Sequence, residues 1–533
     1  MRSIGRRNFM LTSSATAAAL SLLSLGHNRH AAARGDWGDL IPDPEGILDL
    51  PAGFTYTILE AQGDPMDDGY QVPGRADGMA CFAGPDDTLV LMRNHEVSAG
   101  DIFNGPYKIG QSPVPEAYEP AGMGGVTRLV LDATSFERIS SNLVLIGTIR
   151  NCAGGPSPWG WLSCEENTSI NGGIRHGYVF LCPTDATSVQ APQRIDGYGR
   201  FNHEAVCVDP SNNYAYLTED RNDSCLYRFV PDDRSEPFVG TLQALAVVGV
   251  AEYDTHDMTE DDLLNVEWVN LDEPDPDEDS LRDEAQSKGA ARFIRGEGIW
   301  FHEGQVYVCS TSGGPAGKGQ IFRLVDGDSP TLELVVRSTD SSVLDNPDNI
   351  TVSPWGDVFM AEDGDGDQYI RWIDPRGGVC DFARNALSDS ELAGVCFSPD
   401  GQALFVNIQG DGLTLVVTGP FPLVGPMPGD GDGDGDGDGD GDSGDGGGDL
   451  GDGDGDGDPG EPGANEEGDG GDDLGGEGDT GTGTESGRAG LEGDPEGCGC
   501  STEGDEAPGV AATVTAAAAV GLRSLLARPD HED

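Results

Sequence analysis

The chain has 533 residues, 95 of them acidic and 30 basic, for a formal charge of −65 at pH 7. That balance excludes general binding to nucleic acid, which needs clustered Lys and Arg against phosphate. Between Gly429 and Gly509 lie 28 of the acidic residues, one arginine (Arg488) and 32 glycines; the remainder, with 67 acidic and 29 basic residues, is long and apolar enough to bury a core.

Residues 1–33 read as an export signal. Arg6-Arg7-Asn8-Phe9-Met10 is followed by an apolar run through Leu25 and by Ala31-Ala32-Ala33, an A-x-A cleavage site. The paired arginines ahead of Phe-Met resemble a twin-arginine (Tat) signal, so the expected location is periplasmic, cell-surface or extracellular. That route carries folded proteins, often already loaded with cofactor.

Residues 34–427 repeat one unit: a short apolar strand, a Pro/Gly/Asp turn and a second apolar strand. The copies are Gly78–Glu96, Asn151–Glu166, Ala205–Asp220, Gly298–Ser312, Asn349–Asp363 and Gly394–Gln409. Turns such as Gly84-Pro85-Asp86-Asp87, Asp209-Pro210-Ser211-Asn212 and Pro399-Asp400-Gly401 between apolar runs of four to six residues mark hairpins. A third strand with an internal Arg follows several of them, as in Thr127–Asp132, Leu226–Pro231, Ile321–Asp326 and Tyr369–Asp374. Six such units predict an all-β fold, a six-bladed β-propeller of roughly 65 residues per blade. The excess over a compact blade sits in insertions, chiefly Pro231–Ala290 with its acidic run Asp272–Asp283.

Residues 428–509 repeat Gly-Asp and Gly-Glu and have almost nothing apolar to bury, which predicts a disordered linker extended by self-repulsion. Residues 510–533 begin with a weakly apolar, Ala-rich stretch through Leu526, too weak for a spanning helix. With Gly497-Cys498-Gly499-Cys500 before it and Arg523 and Arg528 near its end, it resembles bacterial surface-sorting tails. The acidic end, Asp530 to Asp533, departs from that pattern, and outer-surface anchoring and a simple disordered end both stand as readings.

The hairpins place acids where apolar residues would continue. Second strands end in Asn94-His95-Glu96, Cys164-Glu165-Glu166, Thr218-Glu219-Asp220 and Ala361-Glu362-Asp363; first strands begin beside Asp77, Glu204, Glu297 and Asp348. Equivalent positions of successive blades surround one channel, so these carboxylates form an inward ring that must be protonated or hold cations. An oxygen-rich ring suits Ca²⁺. Ser310-Thr311-Ser312 and Asn407-Ile408-Gln409 leave two blades neutral there. Cys164, beside two glutamates, is either a thiolate ligand for a transition metal or a buried or disulfide-bonded sulfur. Eleven cysteines without a CxxC pair exclude a structural zinc site, while Cys152, Cys182, Cys207 and Cys225 are available to pair after export. Arg295, two residues before Glu297, is either its counter-ion or a two-point ligand for phosphate.

Several of these motifs, in order, resemble the PhoX family of bacterial alkaline phosphatases: Asn94-His95-Glu96, Asn151-Cys152-Ala153-Gly154-Gly155, Leu162-Ser163-Cys164-Glu165-Glu166, Phe201-Asn202-His203-Glu204 and Leu217-Thr218-Glu219-Asp220. They continue with Arg295-Gly296-Glu297-Gly298, Asp345-Asn346-Pro347-Asp348-Asn349 and Ala361-Glu362-Asp363-Gly364, spanning Pro51 to Leu415. The resemblance implies a monomeric propeller with a cluster of iron (Fe³⁺) and calcium (Ca²⁺) that hydrolyses small phosphate monoesters. It implies Cys164 as a ferric ligand, Glu204 and Glu297 as further ligands, and Glu96, Glu165, Glu219, Asp348 and Glu362 as iron or calcium ligands. Arg295 and Asn151 would hold phosphate oxygens. Two other readings share the propeller: a calcium-dependent lactonase or esterase, which has no use for a thiolate, and a non-catalytic surface-binding propeller.

Overall fold

In a computed structural model the described residues are 37–423, apart from Asp261 and Pro375; the export signal, the Gly/Asp linker, the C-terminal segment and Cys498 and Cys500 lie outside them. Six four-stranded antiparallel units follow one another. Blade 1 is Ala76–Ala83, Thr88–His95, Gly124–Asp132 and Arg138–Thr148; blade 2 is Asn151–Ser157, Gly160–Glu165, Val179–Cys182 and Gln193–Ile195. Blade 3 is His203–Asp209, Tyr214–Glu219, Tyr227–Pro231 and Gly240–Val247; blade 4 is Gly296–His302, Gln305–Ser310, Gln320–Val325 and Thr331–Arg337. Blade 5 is Pro347–Val352, Val358–Glu362, Tyr369–Ile373 and Val379–Asn385, and blade 6 is Leu392–Phe397, Ala403–Ile408, Leu413–Thr418 and the early strand Thr55–Ala61. The first strand of each blade packs on those of both neighbours, 1 on 2 through 6 back on 1, which closes the ring.

Hydrogen-bonded sheets do not map one to one onto blades. Within the predicted insertion, Gly240–Val247 is the outer strand of blade 3, and Leu263–Asn270 pairs both with it and with Thr331–Arg337. Blades 3 and 4 thereby share one nine-stranded sheet, and Leu40–Ile41 and Leu48–Pro51 extend blade 5 to six strands. The acidic run is pinned by arginines: Arg221 to Asp279 at 2.8 Å, Arg282 to Asp223 at 2.9 Å and Arg175 to Asp275 at 3.1 Å.

Apolar side chains alternate along the strands and meet between blades. Leu162, Cys164 and Val179 of blade 2 pack on Val206, Leu217 and Tyr227 of blade 3, and Val308 and Phe322 of blade 4 pack on Cys207 and Tyr216 of blade 3. Around the axis the first strands approach so closely that only small residues fit. A Cβ on Gly78 would sit 2.6 Å from Cα of Ala153, and one on Gly298 would sit 2.5 Å from the carbonyl oxygen of Asp348. A cavity of about 20 Å³ lies among Gly78, Ala153, Ala205, Gly298, Asn349 and Gly394, so the axis is narrow there.

The ring is fastened where the strand Thr55–Ala61 completes blade 6, pairing from Thr55 against Thr418 to Ala61 against Leu413 with one register shift between Thr414 and Leu415. Glu60 on that strand reaches across to blade 1, where it meets the fully buried Arg93 at 2.8 Å and Arg138 at 2.9 Å. Removing one partner of a buried ion pair strands the other charge. Glu60→Ala is therefore expected to lower unfolding free energy by about 3–5 kcal/mol, read from urea denaturation; a loss under 1 kcal/mol would mean the seam does not rely on this pair.

Candidate metal centre

One local device is repeated in every blade. In blades 1–5 the first strand pairs with the second at its opening residue and then slips register: Ala76 opposite His95, Asn151 opposite Glu165, His203 opposite Glu219, Gly296 opposite Ser310 and Pro347 opposite Glu362; in blade 6 the slip comes one residue later, after Leu392 opposite Ile408 and Ala393 opposite Asn407. Such a bulge re-aims the residue that follows. The residues at that position are Asp77, Cys152, Glu204, Glu297 and Asp348, with Ala393 their counterpart in blade 6. A second ring comes from the residue just past each second strand: Glu96, Glu166, Asp220, Thr311, Asp363 and Gln409. Each donates its backbone N–H to the carbonyl of the residue before the first strand, at 2.8–3.3 Å: Arg75, Arg150, Asn202, Arg295, Asn346 and Glu391. Arg75, Arg150, Arg295 and Asn346 hold left-handed φ angles of 50–55°, a conformation that costs non-glycine residues and concentrates at functional sites.

These rings converge. Asp77, Glu96 and Cys152 present ligand atoms within 4.8 Å of one another; so do Cys152, Glu166 and Glu204, and so do Glu204, Glu297 and Asp348. The groups share Cys152 and Glu204 and thus form one continuous chain of donors across blades 1–5. Asp220, Asp363 and Glu391 stand in the same field. Burial, reinforced by neighbouring carboxylates, pushes Asp77, Glu204, Glu297 and Glu391 well above the usual carboxylate range. Burial also raises Asp348 to about 8, and Glu166 to about 7 against the opposing pull of Arg150. The Cys152 thiol is pushed up by burial and then by Asp77 and Glu204, and its Sγ lies 3.6 Å from Oδ2 of Asp77.

The donors fit cations. Oδ1 of Asp77 and Oε1 of Glu204 are buried and accept no hydrogen bond among the described residues, an expense that a bound cation removes. Many carboxylate oxygens with flexible spacing suit calcium, and one sulfur among them suits a transition metal. Two arginines brace the set: Arg150 lies 2.9 Å from Glu96 and also pairs with Glu166, while Arg295 meets Asp220 at 2.8 and 3.1 Å and Glu297 at 2.8 Å.

Of the residues expected from sequence, Glu96, Glu204, Glu297 and Asp348 lie in the cluster and Arg295 at its edge. Five do not. Cys164 faces the apolar core between blades 2 and 3 among Leu162, Val179 and Tyr198, with its thiol raised by burial alone. The sulfur in the cluster is that of Cys152. None of Cys152, Cys182, Cys207 and Cys225 forms a disulfide. Glu165, Glu219 and Glu362 each occupy the last residue of a second strand, one short of the inward position. Glu165 accepts the N–H groups of Ile149 and Gly177 and meets His176 at 2.6 Å; Glu219 is held by Tyr227 at 2.8 Å and Arg282 at 3.2 Å; Glu362 is held by Arg371 at 2.9 Å and the N–H of Asp345 at 2.7 Å. Asn151 has both ends of its amide engaged, accepting from Thr148 at 2.6 Å and donating to Ser163 at 2.8 Å.

Asp77, Cys152, Glu166, Asp220, Asp363 and the arginines Arg75 and Arg150 complete the site. For the first-strand donors the signal in the sequence is a recurring Arg or Asn two residues before each: Arg75-Ala76-Asp77, Arg150-Asn151-Cys152, Asn202-His203-Glu204, Arg295-Gly296-Glu297 and Asn346-Pro347-Asp348.

The raised carboxylates bind protons more tightly folded than unfolded. Their contribution is full below about pH 4 and is lost as pH rises through about 7–8, the range of Glu166 and Asp348. Metal-stripped protein is thus expected to melt several degrees lower at pH 8 than at pH 5, with calcium restoring the difference at pH 8. Equal melting temperatures at the two pH values, with or without calcium, would contradict this electrostatic picture.

The profile of the family Alkaline phosphatase PhoX matches residues 35–142 and 133–412. Among solved structures, the fold is similar to Pseudomonas fluorescens PhoX in complex with vanadate, a transition state analogue, with a TM-score of 0.56, 19% identity, and coverage of 72% of this chain and 97% of that one. A gluconolactonase from Xanthomonas campestris aligns at 16% identity over 73% of this chain and 99% of its own, with a TM-score of 0.35. No curated protein sequence matches the chain. A match across most of the propeller, on a chain whose inward positions gather carboxylates, a thiol and arginines, places it: the protein belongs to the PhoX family of alkaline phosphatases.

Proposed function

We propose that the protein is an exported phosphatase that hydrolyses small phosphate monoesters at an iron and calcium cluster held in the mouth of the propeller. The observation that carries this reading is the position of Cys152: a single thiol inside a continuous run of carboxylates, with buried oxygens of Asp77 and Glu204 left for cations. A site for calcium alone, as in a lactonase or a binding propeller, has no use for that sulfur.

Asp77, Glu96, Cys152, Glu166, Glu204, Glu297 and Asp348 are the proposed ligands. Cations bound there would draw charge from phosphate oxygens and lower the pKa of water, the chemistry an in-line displacement requires. The chain's own part is to preorganise that environment. The bulges fix the inward donors. Arg150 and Arg295 keep Glu96, Glu166, Asp220 and Glu297 oriented while offsetting their repulsion. Arg295, partly exposed at the mouth, is also the proposed contact to a phosphate oxygen. Export through the twin-arginine route fits a site whose metals must be chosen before secretion.

Hydrolysis of p-nitrophenyl phosphate at alkaline pH, abolished by EGTA and restored by calcium, is the expected result; inactivity of folded protein containing both iron and calcium would refute monoesterase function. The two cysteines separate the ligand assignments. Cys152→Ala is expected to lose iron, read by elemental analysis, and about 100-fold or more in kcat. Cys164→Ala should keep its metals and activity while losing about 1–2 kcal/mol of stability. The opposite pattern would return the thiolate to Cys164.

A further inference from the structure

We propose that Arg75, aimed by Gln409, is a second cation, beside Arg295, that receives the substrate's phosphate. The inference rests on the phosphatase reading and adds a binding residue to it.

Three arginines occupy the same propeller position, directly before the first strands of blades 1, 2 and 4, and all three have left-handed backbones. Two have their charge matched by carboxylates: Arg150 by Glu96 and Glu166, and Arg295 by Asp220 and Glu297. Arg75 differs. Its Nη1 donates to Oε1 of Gln409 at 3.3 Å, and among the described residues no carboxylate lies within ion-pair distance of it. Gln409 in turn donates through Nε2 to Oδ2 of Asp77 at 2.8 Å and to Oε2 of Glu96 at 3.2 Å. One carboxamide therefore ties the Arg75 guanidinium to two proposed ligands without neutralising it.

The surrounding chain explains why this sector is different. Blade 6 supplies Ala393 and Gln409 at the two inward positions that hold acids in blades 1, 3 and 5, so its part in the acidic field comes from Glu391 and not from either ring. Arg75 is partly exposed, and its carbonyl accepts the N–H of Glu96 at 2.8 Å, which fixes the side chain's starting point at the rim. A counter-ion of the cluster would be expected against a carboxylate, as its two equivalents are. A guanidinium held by a neutral amide keeps its charge and its remaining N–H donors for an external anion. Its planar fork matches two oxygens of a phosphate dianion.

The test uses metal-loaded protein and three variants, with p-nitrophenyl phosphate kinetics, calorimetric binding of inorganic phosphate, and calcium and iron content as readouts. Arg75→Met is expected to raise KM and the phosphate Kd about 10- to 100-fold with metal content unchanged. Arg75→Lys should fall between, since it keeps charge but loses the fork. Gln409→Glu, which sets a carboxylate against an intact Arg75, should weaken phosphate binding as Arg75→Met does. Active wild type together with phosphate affinities within twofold of it in all three variants would overturn the proposal and make Arg75 a rim counter-charge. If Arg75→Met fails to fold or loses metal, the other two variants decide by the same criterion. Wild type that hydrolyses no monoester yet binds phosphate in an Arg75-dependent way would refute the phosphatase reading and uphold this one.

Discussion

Carboxylate repulsion at the propeller axis is the constraint around which the molecule is organised. Nine acids, from Asp77 to Glu391, crowd the mouth, and burial together with neighbouring carboxylates pushes several of them well above the usual carboxylate range. No local element could tolerate this alone, because a hairpin free to move would relieve the repulsion by swinging its acid outward. The ring denies that freedom. Each first strand packs on two neighbours, and the chain's early strand is hydrogen-bonded into the last blade, with Glu60 buried against Arg93 across the seam. The energy that keeps the acids together comes from apolar contacts between blades, well removed from the acids themselves.

That division of labour accounts for the bulges. A regular antiparallel ladder would send consecutive side chains alternately into the two inter-blade cores, leaving none for the axis. In blades 1–5, slipping register after the opening residue frees the next one to point inward, and in all six blades the backbone hydrogen bond from the second ring to the rim residue closes the distortion. The strained rim residues are therefore products of the same feature that aims the ligands.

This geometry sets what could be read from sequence. Hairpin periodicity and turn chemistry were enough for the repeated blades, because the apolar alternation of strands such as Leu89–Leu91 or Val306–Val308 is dictated by the inter-blade cores. The acid-bearing motifs also marked the right blades. What sequence left undetermined was register at the strand ends, where one residue separates an inward ligand from one facing the blade: Glu166 from Glu165, Asp220 from Glu219, Asp363 from Glu362. Alternation gives no guidance where the ladder stops, and a bulge breaks it on the opposite strand. The same ambiguity displaced the thiol. Cys164 obeys the alternation and lies in the core, whereas Cys152 sits at a bulge and faces the cluster.

Departures from six-fold repetition carry as much chemistry as the repetition. If every blade supplied two acids, twelve carboxylates would surround the axis and no position would be left for an anion. Thr311, Ala393 and Gln409 remove three of them, and Cys152 replaces a fourth with sulfur. The arginines compensate unevenly: Arg150 and Arg295 each pair with two carboxylates of the cluster, while Gln409 of blade 6 leaves Arg75 facing an amide. A centre that must hold cations and also admit a dianion needs this lopsidedness. Positive charge matched everywhere by carboxylate would offer phosphate nothing, and an unbroken acid ring would repel it before any cation could act.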